Sequence, residues 1–202
     1  MKEFNVIEDF FKAKSIQRKD VIIGIGDDGA VTHIPQGQAL VTTTDTLLSG
    51  VHFLADTPAH AIAQKAMAVN LSDLAAMGAE PAWISLSLSM PTVDENWLQA
   101  FSNGLQEHAE YYSVQLIGGD TVKGPLAITI TAQGFVPFNQ ALTRSQAKPG
   151  DSVYVTGTLG DAGLGLHIAQ KKCVVTNQSN QEFLLNRLNY PTPRLLVGTS
   201  LR

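Results

Sequence analysis

The chain has 202 residues, a formal net charge of −4 and 16% charged residues, so it is long enough to bury a core and has an ordinary globular composition. The slightly acidic balance without a basic run gives no support for a nucleic-acid-binding surface, and no apolar run approaches the roughly 20 residues that span a bilayer. One cysteine, Cys173, excludes an intrachain disulfide and a cysteine-based zinc site, and we expect it in the core. Acidic residues near the N-terminus predict an amphipathic helix over residues 1–14 and not a signal peptide, so we expect a cytoplasmic protein.

The predicted elements then alternate between strands and helices. After the apolar run "DVIIGIGDDGAV", which glycines end, β-branched content and alternation of apolar and hydroxyl residues predict strands at residues 38–48, 83–90, 114–121 and 126–136. Apolar residues at helical spacing predict helices over residues 58–77, ended by Gly78, and over residues 94–112. The order strand, strand, helix, strand, helix, strand, strand predicts an α+β fold, with a mixed sheet and two helices on one of its faces.

A change of pattern near Asn139 predicts a domain boundary, with an N-terminal domain over residues 1–138 and the start of a second α/β domain over residues 139–202. In this second part a Pro-Gly-Asp turn leads into a predicted strand, "SVYVTG", and then into a glycine-rich loop and a helix. The last predicted helix has Thr192 as its N-cap and Pro193 at its first position. The chain ends inside that helix, so we expect the second domain to be incomplete.

The stretch "IGIGDDGA" contains the pattern G-x-G-x-x-G, but it does not predict a dinucleotide-binding loop. The carboxylates of Asp27 and Asp28 would repel a pyrophosphate, and the chain continues toward a strand, whereas such a loop opens a helix. A divalent cation would remove this repulsion. We therefore interpret the stretch as a metal loop.

Four acidic clusters lie at glycine-marked turns, at strand ends or within an apolar helix: Asp27 with Asp28, Asp45, Asp73, and Asp120. Any one of them alone is more often a cap or turn residue, but four clusters without cationic partners nearby in sequence indicate a cation site. Oxygen ligands favour Mg²⁺ or Ca²⁺ over zinc. The sequence has neither EF-hand spacing nor a Walker sequence, and Mg²⁺ bound by carboxylates and substrate phosphates favours phosphate chemistry.

Five ordered motifs resemble the thiamine-monophosphate kinase family: "GIGDDGAV", "TTTDTLLSGVHF", "KAMAVNLSDLAAMGAEP", "QLIGGDT" and "RSQAKPGDSVYVTGTLGDAGLGL". The resemblance covers essentially the whole chain. It implies the fold of the ATP-binding superfamily that includes aminoimidazole-ribotide synthetase and selenophosphate synthetase. It also implies a homodimer that phosphorylates thiamine phosphate to thiamine diphosphate with ATP and several Mg²⁺ ions.

The resemblance also implies roles for single residues. Those expected to hold Mg²⁺ are Asp28, Asp45, Asp73 and Asp120, with oxygen ligands from Thr43 and Thr44 and with Asp27 as a weaker candidate. His52 would contact thiamine phosphate, Gly119 and Asp120 would meet ATP, and Arg144 would contact the triphosphate, whose oxygens suit a guanidinium group. His33, His60, His108 and His167 receive no role. We interpret "VTGTLGDAGLGL" as close packing of a strand on a helix and not as a phosphate loop.

The expected reaction is direct in-line attack by thiamine phosphate on the γ-phosphorus of ATP, without a general base or a covalent nucleophile, because the attacking phosphate is already largely ionised at neutral pH. Family members continue into a further acidic motif and into thiamine-binding residues, and neither is present here, so we expect a C-terminally truncated chain. Two alternatives remain. One is a related enzyme of the same superfamily with another phosphate acceptor, and the other is a non-catalytic ATP/Mg²⁺-binding dimerisation module.

Overall fold

The computed structural model of the protein describes residues 7–12 and 15–202. Its strands, in chain order, are β1 (Val21–Ile23), β2 (Val31–Thr32), β3 (Gln38–Leu48), β4 (Glu80–Met90), β5 (Gln115–Lys123) and β6 (Ala127–Pro137). Its α-helices are α1 (Ala59–Ala76), α2 (Glu95–Tyr111), α3 (Asp161–Ala169), α4 (Gln178–Asn189) and α5 (Leu195–Leu201). Short turns of other helix types cover Ile7–Lys12, a π-helix, and Arg144–Gln146, a 3₁₀-helix.

The long strands form one four-stranded sheet in the order β3-β6-β4-β5. β6 runs antiparallel to both of its neighbours, whereas β4 and β5 are parallel because α2 connects them as a crossover. β1 and β2 pair separately as a small antiparallel ribbon. These pairings confirm the predicted mixed sheet.

Helices α1 and α2 cover one face of the sheet, as the alternation in the strands predicts. Along β4 the residues Leu86, Leu88 and Met90 are buried in the core, while Ser87 between them is exposed. α1 is buried along most of its length because its small alanines let it pack closely on the sheet and on α2. This arrangement leaves a hydroxyl-rich face on the other side of the sheet, where Thr44 and Thr46 exchange hydrogen bonds with Thr131 and Thr129 at 2.9 and 2.8 Å.

Local signals explain where the two helices end. The Asp94 side chain caps α2 by accepting hydrogen bonds from the backbone N–H groups of Asn96 and Trp97 at 2.9 and 3.1 Å. α1 ends at the predicted glycine, because Gly78 adopts a φ of +69°, which other residues rarely adopt. No helix within residues 7–12 and 15–202 is both long and apolar enough to cross a membrane.

The part of the chain after residue 139 differs from the prediction in four respects. The predicted strand "SVYVTG" has no regular structure and no strand partner among the described residues, and its Tyr154 is exposed. The close packing expected between a strand and a helix lies between two helices, since a β-carbon on Gly165 of α3 would lie 2.3 Å from the Leu184 carbonyl oxygen of α4. The last helix begins at Leu195, with Arg194 and not Thr192 as its N-cap. Cys173 is half-buried and does not join the core.

The predicted N-terminal helix lies partly outside the described residues, which omit residues 1–6 and 13–14. Within Ile7–Lys12 the backbone forms a π-helix whose Phe10 and Phe11 are buried in the core. The amphipathic character that the sequence predicts is therefore present in this stretch, with a different backbone geometry.

Candidate functional site

The acidic loop and the first two thirds of β5 line one cavity of about 460 Å³. Asp27 and Asp28 from the loop and Gly119 and Asp120 from β5 are among its lining residues. Apolar side chains such as Leu116 and polar side chains such as Glu8 and Lys12 complete the lining. The structure thus brings together two of the acidic clusters that lie far apart in sequence.

Gly119 lets β5 lie directly against β4 beside this cavity. A β-carbon on Gly119 would lie 1.8 Å from the Leu86 carbonyl oxygen, well inside any possible contact. The adjacent Gly118 has nothing within 4 Å of the corresponding position. Only Gly119 is therefore required for this close approach, which places Asp120 at the cavity.

An ion-pair network holds the start of β1, which leads into the acidic loop. The Asp20 carboxylate accepts hydrogen bonds from Nε and Nη2 of Arg18 at 3.0 and 2.7 Å and from the indole of Trp83 at 3.0 Å. The hydrogen bond to Arg18, followed by that to Trp83, lowers the pKa of Asp20 against the opposing effect of burial. Within the loop itself, the Asp27 carboxylate accepts a hydrogen bond from the Asp28 backbone N–H at 2.8 Å.

The remaining two acidic clusters meet between β3 and α1. The Thr43 hydroxyl donates to the Asp73 carboxylate at 2.7 Å, and Asp45 lies on the same face of β3 two residues away. Burial, and next the negative charge of Asp73, raise the pKa of Asp45, while His52 opposes this effect. Two carboxylates that disfavour each other's charge, beside a hydroxyl oxygen, form a donor set suited to a hard divalent cation such as Mg²⁺.

Asn70 positions this pair and was missed in the sequence analysis. Its side chain is buried, accepts a hydrogen bond from the backbone N–H of Asp45 at 3.1 Å and donates to the Ala66 carbonyl at 2.9 Å. It therefore ties the middle of β3 to α1. A polar amide within the apolar run "AMAVNL" is the signal that could have identified it.

His52 lies in a tight turn that directly follows β3. Its Nδ1 accepts a hydrogen bond from the backbone N–H of Leu48 at 3.0 Å, so in this arrangement the ring proton is on Nε2. The turn also contains a hydrogen bond from the backbone N–H of His52 to the Leu48 carbonyl at 2.9 Å, and Phe53 anchors it in the core. The exposed imidazole can thus present an N–H donor to an anion.

Two predicted ligands are placed differently from Asp45. Thr44 is its neighbour in sequence but lies on the opposite face of β3, where its hydroxyl is hydrogen-bonded to Thr131, so its side chain does not join Asp45. Arg144 is exposed in the short 3₁₀-helix. That segment starts beside the end of α1 that carries Asp73, because the backbone N–H of Leu142 donates to the Met77 carbonyl at 3.1 Å.

The carboxylates therefore form two groups and not one cluster in this chain. The strand register places Asp45, Ile130, Leu86 and Gly119 in one row across the four strands. Three interstrand steps of about 4.8 Å put Asp45 and Gly119 about 14 Å apart. Among the residues that the structure describes, no three His, Cys, Asp or Glu side chains come close enough together to hold an ion by themselves.

Comparisons with known proteins agree with this fold and these motifs. Residues 26–136 match the family "AIR synthase related protein, N-terminal domain". The chain is 52% identical over 200 residues to the thiamine-monophosphate kinase of Escherichia coli (strain K12), a match that covers 99% of this chain and 62% of that protein. The chain thus spans less than two thirds of the length of this relative.

Solved structures support the same relationship. The crystal structure of thiamine-monophosphate kinase from Stenotrophomonas maltophilia K279a has a TM-score of 0.87 and 45% identity, covering 97% of this chain and 63% of that chain. A structure of AaThiL complexed with AMPPCP and TMP has a TM-score of 0.76 and 31% identity, covering 98% of this chain and 62% of that chain. These relatives confirm the resemblance that the five motifs indicate. Because the family match extends over more than half of its 202 residues, the chain belongs to the AIR synthase related protein family.

Proposed function

We propose that this chain is the ATP- and Mg²⁺-binding part of an enzyme that phosphorylates thiamine phosphate to thiamine diphosphate. The observation that carries the proposal is the carboxylate pair of Asp45 and Asp73, with the Thr43 hydroxyl beside it and the His52 turn at the end of the same strand. The similarity to thiamine-monophosphate kinases along the whole chain supports this choice of reaction, as do AMPPCP and TMP, the ligands named for one relative.

The proposed cation ligands are Asp45, Asp73 and Thr43 in one group and Asp28 and Asp120 in the other, with Thr44 and Asp27 as the weaker candidates. Mg²⁺ bound there would neutralise the phosphate charges that oppose the reaction. These residues supply only oxygen ligands, the type that Mg²⁺ prefers. The raised pKa of Asp45 supports the proposal, since a nearby cation would remove the repulsion between the two carboxylates.

The other proposed site residues bind and orient the phosphate group of thiamine phosphate and the triphosphate of ATP. The Nε2–H of His52 donates to the phosphate of thiamine phosphate, and the backbone at Gly119 leaves room for the nucleotide beside Asp120. The guanidinium group of Arg144 binds the triphosphate. Orientation matters because phosphoryl transfer requires the attacking and leaving oxygens to be in line.

In the proposed reaction, a terminal phosphate oxygen of thiamine phosphate attacks the γ-phosphorus of ATP. A new P–O bond forms as the bond between the γ-phosphorus and the bridging oxygen breaks, and ADP leaves. The attacking oxygen already carries negative charge at neutral pH, so no residue is assigned as a general base. The residues act by alignment and by stabilising charge, the main sources of catalysis in phosphoryl transfer.

We also propose that the active form is a homodimer in which the hydroxyl-rich face of the sheet is covered by a second copy. A large sheet face that carries exposed side chains such as Leu40 and Leu48 is a suitable self-complementary surface. The proposed compartment is the cytoplasm, where ATP is available as the phosphate donor.

The test is thiamine diphosphate formation by the intact polypeptide that carries this sequence, measured with Mg²⁺ and ATP and, in parallel, with EDTA. We expect product only with the metal, and only with thiamine phosphate among a panel of phosphorylated and unphosphorylated acceptors. ATP consumption with a different acceptor from this panel would refute the proposed substrate. ATP binding without any transfer would favour a binding module.

A further inference from the structure

Lys65 contacts the His52 turn from helix α1. Its ammonium group donates a hydrogen bond to the His52 carbonyl oxygen at 2.9 Å. Lys65 lies on the part of α1 that faces the end of β3, and its side chain is half-buried. The carbonyl and the imidazole of His52 are therefore held from two sides, the carbonyl by Lys65 and the ring by the backbone N–H of Leu48.

This lysine has an unusual environment for a cation. Lys65 forms no salt bridge with a carboxylate in the described part of the chain. Burial lowers its pKa. Partial burial of an ammonium group costs free energy, and a lysine near the surface can usually avoid that cost by extending into water. Lys65 instead keeps its ammonium group on a backbone carbonyl. Its position is therefore better explained by what it does for the turn than by stability.

We propose that Lys65 is a positioning residue for the phosphate acceptor, which holds the His52 turn so that the imidazole keeps its Nε2–H available to the phosphate of the substrate. The proposal rests on the proposed function for its substrate and on the described contacts for its geometry. Backbone hydrogen bonds from His52 to Leu48 and from Gly50 to Phe53 already close the turn, and Lys65 adds a side-chain contact to the His52 carbonyl oxygen. Its loss affects binding of the acceptor and leaves the nucleotide groups around Asp120 in place.

The kinetic test compares Lys65→Met, which keeps an unbranched side chain one atom shorter but removes the donor and the charge, with the same change at Lys172, an exposed lysine outside the site. In the intact polypeptide we expect Lys65→Met to raise KM for thiamine phosphate about 10- to 100-fold, as for the loss of one charge-assisted hydrogen bond. We expect kcat and KM for ATP to stay within about twofold of the wild type, as in Lys172→Met. An equal increase in KM for thiamine phosphate and in KM for ATP would overturn the inference.

A double variant tests whether Lys65 acts through His52. When His52 is already replaced by alanine, the further change Lys65→Met should leave KM for thiamine phosphate nearly unchanged, because the two side chains act as one unit. The same increase in KM in both backgrounds would show that Lys65 acts independently of His52, contrary to the proposal.

A spectroscopic measurement tests the geometry without catalysis, and so separates this inference from the proposed function. Long-range ¹H–¹⁵N spectra should show His52 as a single Nε2–H tautomer in the wild type and in Lys172→Met, with the signal assigned by its absence in His52→Ala. In Lys65→Met the two ring nitrogen shifts should move toward each other as the turn loosens. Unchanged shifts would refute the positioning role even if the enzyme is active. A wild type that makes no thiamine diphosphate refutes only the proposed function.

Discussion

Replacing Gly119 by alanine tests whether the close contact between β5 and β4 supports the cavity. The added β-carbon would lie 1.8 Å from the Leu86 carbonyl oxygen, and its other near contacts, at 2.7 and 2.9 Å, are also backbone atoms of Leu86. A flexible side chain could move away, but the Leu86 backbone belongs to β4, which is held between β6 and β5, so the edge strand β5 has to move. β-Carbon contacts shorter than 3.0 Å essentially do not occur. The two strands must therefore separate locally by more than about 1 Å.

The displacement should affect both stability and function. Forcing alanine into a backbone conformation that suits only glycine costs about 1–3 kcal/mol. For a protein of this length that corresponds to a fall in Tm of about 2–12 °C. A shift of 1 Å in the position of a site residue can reduce turnover about 100-fold, and Asp120 directly follows the displaced residue.

The matched control is Gly118→Ala, because nothing lies within 4 Å of the β-carbon that this change adds one residue earlier. Thermal unfolding and calorimetric titration with Mg·ATP should be measured for both variants. We expect Gly118→Ala to unfold within about 2 °C of the wild type, as for a substitution without a steric clash. If Gly119→Ala unfolds at the same temperature as Gly118→Ala and binds Mg·ATP equally well, the close contact is not needed and the reasoning is wrong.

Three further predictions concern the acidic pair and the exposed face of the sheet. The pKa of Asp45 is raised in the fold, so its charge destabilises the metal-free protein at neutral pH; Asp45→Asn should increase the free energy of urea unfolding there by about 0.2–1 kcal/mol. This gain should shrink as the pH falls and vanish below the ordinary aspartate pKa of 3.8, and a gain that persists in acid would contradict the assigned cause. Asp73→Asn can still accept the Thr43 hydrogen bond and relieves the repulsion on Asp45, so we expect a Tm that is not lowered but at least about 100-fold slower formation of thiamine diphosphate, whereas normal turnover would exclude Asp73 from the site. Ser87→Lys places a charge on the hydroxyl-rich face, and light scattering should show a monomer where the wild type and Ser200→Lys are dimers; a monomeric wild type would refute the proposed dimer.

The N-terminal part of the fold could be predicted because its signals are local. Alternation in "WISLSLSM" identifies the buried face of β4, and the predicted helix over residues 58–77 differs by one residue at each end from Ala59–Ala76. The later "SVYVTG" has the same β-branched character, but a strand also needs a partner, which sequence composition does not reveal. This is why the prediction of a strand was wrong there.

The site could be predicted only in part, because its contacts depend on how elements pack. Thr43 meets Asp73 across 30 positions of sequence, and the motifs identify both residues without indicating that they touch. Asn70 was missed because its role depends on α1 lying against the middle of β3. The placement of the Thr44 side chain on the face of β3 opposite to Asp45 could have been predicted, since neighbouring residues on a strand point to opposite faces.

The division of the carboxylates into two groups has an energetic reason. At an effective dielectric constant of about 20, two unit charges at the roughly 14 Å that separates Asp45 from Gly119 repel by about 1 kcal/mol, whereas at about 4 Å they repel by about 4 kcal/mol. Placing all the acidic side chains together would therefore destabilise the chain before any cation or substrate binds. The buried Ile130 and Leu86 lie between the two groups and set their separation, so the core of the sheet also acts as the spacer of the site. The Asp45–Asp73 pair keeps two charges close, and there the pKa of Asp45 is raised, the cost that we expect a bound cation to remove.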